Sequence, residues 1–370
     1  MVTTDADRRF MRLALGLGAR GSGRVWPNPA VGCVIVAGGR VGGRIVGRGW
    51  TQPGGRPHAE VVALAQAGPL ARGATAYVSL EPCAHHGKTP PCADALIRAG
   101  VARVVTALED PDKRTAGQGH AMLRKAGSAV TERVEAEAAA RAHRGFVLRV
   151  TEGRPMVTLK LAASLDGRIA TAAGESRWIT GEAARARVHL LRARHDAVLV
   201  GGGTARADDP QLTVRGLGTG WQPVRVVASA GLDLPEGGRL AEPVAGAPLW
   251  LLHGPEAPEA SRGYWQGRGA RLIETATDGQ GLDPEAMLAA LGAAGLTRVF
   301  CEGGGALAAS LMRAGLVDEL ITFTAGIGLG SESRPALGPL ALDRLADAPR
   351  FRLLGAEPVG GDVMQLWERA

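Results

Sequence analysis

Aromatic residues make up only 4% of this 370-residue chain, and cysteine occurs four times. Four thiols are too few for a disulfide framework at this length, so a reducing compartment, the cytoplasm, is expected. The net charge of +7 would suit a nucleic-acid partner. Yet the arginines are dispersed, no basic run is present, and few rings are available on which bases could stack, so no nucleic-acid partner is expected. No apolar run is long enough to span a membrane, and residues 1–9 are polar and carry Asp5 and Asp7, so neither a span nor a leader is expected. No segment repeats. What the chain does have is abundant Ala, Gly and Arg. Its 45% hydrophobic and 21% charged residues are the balance of a folded globular protein of two or three domains.

The residues that carry chemistry concentrate between His58 and Cys92. His58-Ala59-Glu60 is followed by Pro82-Cys83 and, after eight intervening residues, by Cys92. One imidazole and two thiolates suit Zn²⁺, and three protein ligands leave one tetrahedral position for water. A metal so held lowers the pKa of that water from about 15.7 to about 7. Glu60, close behind His58, is the natural proton carrier. Taken singly, each has an ordinary reading as a core or surface imidazole or a small buried thiol. The combination with Glu60 and the flanking prolines points to a metal. His85 and His86 lie between the thiols and could compete as ligands, although neither fits the pattern; one reads as a substrate or supporting group, the other as loop surface.

A His-x-Glu followed by Pro-Cys-x-x-Cys is the zinc-deaminase pattern. The enlarged spacer here, Ala-His-His-Gly-Lys-Thr-Pro-Pro, resembles the deaminase half of the bifunctional riboflavin-biosynthesis deaminase/reductases. The surrounding periodicity predicts helices over 5–20, 58–67 and 92–99, a hairpin of strands 31–36 and 44–49, and strands 74–80 and 103–107. Strands alternating with helices imply a covered sheet, and the resemblance implies a cytidine-deaminase-like three-layer α/β/α domain. It also makes Asn28, Lys88 and Asp110 substrate contacts, although Asn28 between Pro27 and Pro29 reads equally as a turn. Thr51 and Asp112 stand where the family often has His and Asn.

A charged, Ala-rich stretch, 131–150, reads as one helix, and Gly153-Arg154-Pro155 before a fresh strand at 156–161 marks a boundary. Domains 1–150 and 151–370 are expected. In the second, a strand at 196–200 leads into Gly201-Gly202-Gly203-Thr204, and a strand at 298–302 into Gly303-Gly304-Gly305 and a helix at 306–313. Glycine turns let backbone amides approach a phosphate. Alone, Gly303-x-Gly305-x-x-Ala308 is a weak form of the dinucleotide fingerprint. With Thr158-Leu159-Lys160, the run 164–168, the run 174–180 and the run 204–215, it resembles the reductase half of the same enzymes, an α/β domain similar to dihydrofolate reductase.

That resemblance implies NADPH on Ala162, Trp178, Thr204, Asp208, Gly303, Gly304 and Gly305. It implies substrate on Lys160, Ser176, Arg192, Leu212, Arg215 and Glu302, with the two arginines and the lysine as a clamp for a sugar phosphate. Ordinary readings stand beside these: a solvated Arg192 on a helix at 181–194, a core Trp178, and Asp166 as a turn former, which is preferred to a catalytic role. The family commonly shows Asp-Ser where Ser229-Ala230 stands, and no arginine stands out as a dedicated partner for a 2′-phosphate. The implied activity is zinc-dependent deamination of a phosphorylated pyrimidine followed by NADPH-dependent reduction of its ribosyl chain, by a homo-oligomer. The rivals are a tRNA-type base deaminase with an accessory nucleotide-binding domain, and a non-catalytic ligand sensor with a structural zinc. The first leaves residues 156–370 unexplained, and the second has no use for Glu60.

Overall fold

In the computed structural model, which describes residues 3–38, 43–85 and 90–370, the chain forms two compact units divided between Gly153 and Arg154. The first contains α1 (Asp5–Gly18), β1 (Gly32–Ala37), β2 (Arg44–Trp50), α2 (Ala59–Ala67), β3 (Thr75–Val78), α3 (Cys92–Arg98), β4 (Arg103–Thr106), α4 (Gln118–Lys125), β5 (Ala129–Thr131) and α5 (Ala136–Glu152). Its sheet has the order β2-β1-β3-β4-β5, antiparallel from β2 through β1 to β3 and parallel from β3 to β5.

Alternation along β1 builds the layers. Cys33 and Ile35 face a core shared with Ala59 and Ala63 of α2 and Leu96 of α3, while Val34 and Val36 face Phe10, Met11 and Ala14 of α1 and Ala139 of α5. Helices therefore cover both faces. A Cβ added at Gly49 would fall 2.1 Å from the Ala59 carbonyl oxygen, so α2 rests directly on the backbone of β2. That contact fixes the N-terminus of α2, where His58 is the cap residue. The stretch 131–150 is not one helix. Thr131 ends β5, Arg133 and Glu135 adopt left-handed φ of 62° and 61°, and α5 starts only at Ala136.

The second unit contains β6 (Met156–Ser164), β7 (Arg168–Ala170), α6 (Glu182–Arg192), β8 (Ala197–Gly201), α7 (Gly202–Asp208), β9 (Val224–Ala228), β10 (Leu249–His253), α8 (Glu259–Gly267), β11 (Arg271–Glu274), α9 (Pro284–Ala293), β12 (Arg298–Cys301), α10 (Gly305–Arg313), β13 (Glu319–Ala325), β14 (Arg334–Pro335), β15 (Phe351–Val359) and β16 (Asp362–Arg369). Nine strands form one sheet in the order β11-β10-β9-β8-β12-β6-β13-β16-β15. It is parallel from β11 to β13 and closes with the antiparallel β16 and β15. The middle of the sheet feeds two cores: β8 packs Val198 and Val200 against one and β12 sends Phe300 into another.

Candidate active sites

In the first unit, α2 delivers His58 at its cap, α3 delivers Cys92 as its first residue, and the loop after β3 delivers Cys83. The His58 Nδ1 atom lies 3.3 Å from Cys92 Sγ and 3.8 Å from Cys83 Sγ. The three donor atoms fall within 4.8 Å of one another, and they are the only such group of His, Cys or carboxylate ligands among the described residues. The set fits zinc: two soft sulfurs and one imidazole converge, and among the described residues no fourth protein ligand joins them.

The electrostatics support an anionic sulfur at Cys83, whereas the hydrogen bond to Cys83 and burial push the Cys92 thiol up. The Cys92 thiol beside it and the His58 ring hold Cys83 far below the usual thiol range, and the backbone N–H of Cys92 also donates to its sulfur at 3.3 Å. His58 is pushed up, chiefly by its hydrogen bond to Cys83. Glu60, in the first turn of α2, is 4% exposed, and burial, reinforced by the negative Cys83, pushes its carboxyl up to about 7. His85 is exposed and stands outside the donor group; His86 and Lys88 lie outside the described residues.

The Asn28 side-chain amide donates to the Gly55 carbonyl at 3.3 Å, which ties the Pro27–Pro29 turn to the loop that leads into His58. Buried Thr51 accepts from the backbone N–H of Val31 through its hydroxyl, at 3.0 Å, so at this position the side chain serves the backbone. Asp110 accepts from the N–H of Asp112, and burial raises its carboxyl. Asp112 itself pairs with Arg114.

One residue escaped the sequence reading. Glu81, 5% exposed, accepts backbone N–H bonds from Gly119 and His120 on one carboxylate oxygen and from Asp110 and Gly117 on the other. It thereby fastens the Asp110 loop and the start of α4 beside Cys83. The available signal was an acid placed directly before Pro82-Cys83, at the end of an apolar strand.

In the second unit the two glycine turns meet. The Gly201 N–H donates to the Gly303 carbonyl, and Thr204 Oγ1 donates to the same oxygen at 3.4 Å. Gly303 and Gly304 take φ of 83° and 82°, and an added Cβ at Gly303 or Gly203 would meet nothing within 4 Å. Gly203 and Gly303 thus present bare backbone to open space, which fits a dinucleotide cofactor. Trp178 is 68% exposed, which excludes a core role, and Arg185 lies 4.6 Å over its ring. The backbone carbonyl of Asp208 accepts from Arg177 and Arg239.

Arg192 is not a solvated helix residue. It is 9% exposed and engages the Glu302 carboxylate through Nε and Nη2 while Nη1 donates to the Thr213 carbonyl at 2.7 Å. Burial works against the charge on Glu302, but Arg192 beside it holds the carboxyl below its ordinary range. Burial pushes Lys160 down, opposed by Glu302. Arg192 is therefore committed, and Arg215 is the more exposed cation, with long contacts of 3.4 and 3.3 Å to Gln211 and Thr213. Its backbone N–H donates to His189. Leu212 is buried with a φ of 56°, Ala162 packs on the Phe300 core, and Ser176 sits half-buried in the loop before Trp178. Asp166 accepts from the backbone N–H groups of Leu329 and Gly330, as a loop former does.

Comparison with known proteins agrees with both halves. The cytidine and deoxycytidylate deaminase zinc-binding region matches residues 4–108, and the RibD C-terminal domain matches residues 155–365. The riboflavin biosynthesis protein RibD of Escherichia coli is 42% identical over 96% of this chain and 98% of its own. The chain belongs to the RibD family. RibD of Aquifex aeolicus is 36% identical over 99% of each chain. Among solved structures, Acinetobacter baumannii RibD superposes with a TM-score of 0.88 at 37% identity, covering 99% of each chain. The Thermotoga maritima diaminohydroxyphosphoribosylaminopyrimidine deaminase/5-amino-6-(5-phosphoribosylamino)uracil reductase gives 0.84 at 33% identity, also over 99% of each. The first unit is the zinc-binding deaminase unit of a bifunctional RibD enzyme of riboflavin biosynthesis, and the second is its NADPH-dependent reductase unit, with the fold of a dihydrofolate-reductase-like domain.

Proposed function

We propose that the first unit removes ammonia from 2,5-diamino-6-(5-phosphoribosylamino)pyrimidin-4(3H)-one and that the second reduces the ribosyl chain of the product to a ribityl chain. The observation that carries the first step is the convergence of His58, Cys83 and Cys92 beside the buried Glu60. Zinc held by those three residues supplies an activated water. Glu60 takes a proton on its carboxylate and delivers it to the exocyclic amine nitrogen, which departs as ammonia. Asn28 and Asp110, with Lys88, hold the pyrimidine and its sugar; the ties from Asn28 to the His58 loop and from Asp110 to Glu81 support that role.

NADPH on Ala162, Trp178, Thr204, Asp208 and the turn of Gly303, Gly304 and Gly305 supplies the reducing equivalent. The substrate contacts are Lys160, Ser176, Arg192, Leu212, Arg215 and Glu302. In this arrangement the Arg192–Glu302 pair forms the fixed floor, and Arg215 is the cation that a phosphate meets. The reading includes assembly of copies in the cytoplasm. No described helix is long and apolar enough to cross a membrane, and β15 is an edge strand that exposes Leu353.

The test is to incubate the purified protein with the diaminopyrimidine ribotide and NADPH and to follow ammonia and cofactor absorbance separately. Both signals are expected. Glu60→Ala should retain zinc and release no ammonia; normal release by that variant overturns the role of Glu60.

A further inference from the structure

The second unit places a glycine-opened helix between two parallel strands: β8 ends on Gly201, α7 opens with Gly202 and Gly203, and β9 lies parallel to β8. In units of this kind the pyrophosphate lies at the turn, and side chains just past the second strand meet the adenosine ribose. An acid there accepts from a 2′-hydroxyl, whereas an arginine accommodates a 2′-phosphate. Gly201 pairs with Ala228 across β8 and β9, so Ser229 is the first residue beyond that strand and stands level with the turn.

Three side chains gather at this point. Arg206 donates from Nη1 to Asp233 Oδ2 at 2.7 Å and to the Asp233 carbonyl at 3.1 Å. Ser229 donates from Oγ to the other carboxylate oxygen at 3.0 Å. A Cβ added to Gly202 would lie 2.9 Å from Ser229 Oγ and 3.3 Å from Arg206 Nη1, so the cluster borders the glycine turn itself. The side chains of Arg206 and Asp233 remain 47% and 67% exposed, so a ligand can reach them.

We infer that Arg206, Ser229 and Asp233 read the 2′ position of the cofactor's adenosine ribose, and that the Asp233 carboxylate narrows the preference for a 2′-phosphate over a 2′-hydroxyl. This rests on the assignment of the glycine turns to a nicotinamide dinucleotide. A guanidinium and a hydroxyl are the donors a phosphate needs, but here both are given to one carboxylate. An arriving 2′-phosphate has to take the place of that carboxylate and face its like charge. A 2′-hydroxyl can donate to Asp233 and leave the pair intact.

Calorimetric titration of the full chain with NADP⁺ and, separately, NAD⁺ tests this without turnover. The wild type should bind both, with NADP⁺ favoured by no more than about tenfold. Asp233→Asn removes the competing charge and should tighten NADP⁺ by about tenfold while NAD⁺ does not gain. Arg206→Ala should weaken NADP⁺ by about tenfold and leave NAD⁺ unchanged. An NADP⁺-to-NAD⁺ ratio unaltered in both variants, with binding otherwise normal, overturns the inference alone. A wild type that binds neither nucleotide overturns the dinucleotide assignment beneath it.

Discussion

Arg192 on α6 and Glu302 at the end of β12 lie 110 residues apart in sequence and face each other through paired hydrogen bonds, both largely shielded from water. Arg192→Ala leaves a buried carboxylate unpaired and should cost about 3 to 5 kcal/mol. Arg192→Lys cannot reproduce the fork and the bond to Thr213 and should recover little. Denaturant unfolding measures the first effect. Cofactor oxidation should fall in both variants while ammonia release continues.

Glu81 concentrates four backbone N–H bonds on one carboxylate. Glu81→Ala should destabilise the deaminase unit by about 3 kcal/mol or more, because those buried donors lose their acceptor. Glu81→Gln keeps one acceptor oxygen but turns an amide toward the other two N–H groups, so an intermediate loss is expected. Unfolding curves of the three proteins should rank wild type, Gln and Ala in that order, with NADP⁺ affinity of the reductase unit unchanged.

Gly49 lies under α2. Gly49→Ala places a Cβ 2.1 Å from the Ala59 carbonyl oxygen and must lift the start of that helix. A loss of about 1 to 3 kcal/mol is expected. Zinc content after dialysis against a weak chelator should also fall, since His58 caps the displaced helix.

His195 gives the reductase unit an acid-sensitive element. It is 6% exposed; burial, reinforced by nearby Arg298, pushes its pKa from 6.5 down to about 3, and one ring nitrogen bonds the Leu191 carbonyl while the other faces the Thr158 hydroxyl. The unfolded chain takes up a proton near pH 6.5, and the folded chain does so only near 3. The stabilisation is therefore complete above about pH 6.5 and shrinks by about 1.4 kcal/mol per unit as the pH falls from there toward 3. His195→Gln should unfold with a shallower acid dependence across that window, as followed by circular dichroism.

The candidate metal-binding triad was legible because His58, Cys83 and Cys92 carry their chemistry in their identity, and each directly follows a proline that marks its local structure. Arg192 was legible as a functional candidate, but its partner was not: an ion pair across 110 residues leaves no local pattern. Glu81 was hidden for the same reason, since its partners are backbone groups that any sequence supplies. Helix α4 was missed because Gly117 and Gly119 mask a short amphipathic turn, and the single helix read at 131–150 failed because Thr131 belongs to β5, whose pairing with β4 outweighs local propensity. The β15–β16 hairpin carries exposed, mixed residues with weak alternation, so its strands do not announce themselves.

Strand β6 is flanked in its sheet by β12 and β13, which begin more than a hundred residues further along the chain. During synthesis the middle of the reductase sheet must wait for almost the whole polypeptide to emerge, whereas every strand of the deaminase sheet is already available once Gly153 has left the ribosome. Translation thus imposes an order of maturation: the half proposed to act first on the pyrimidine is also the half that can fold first.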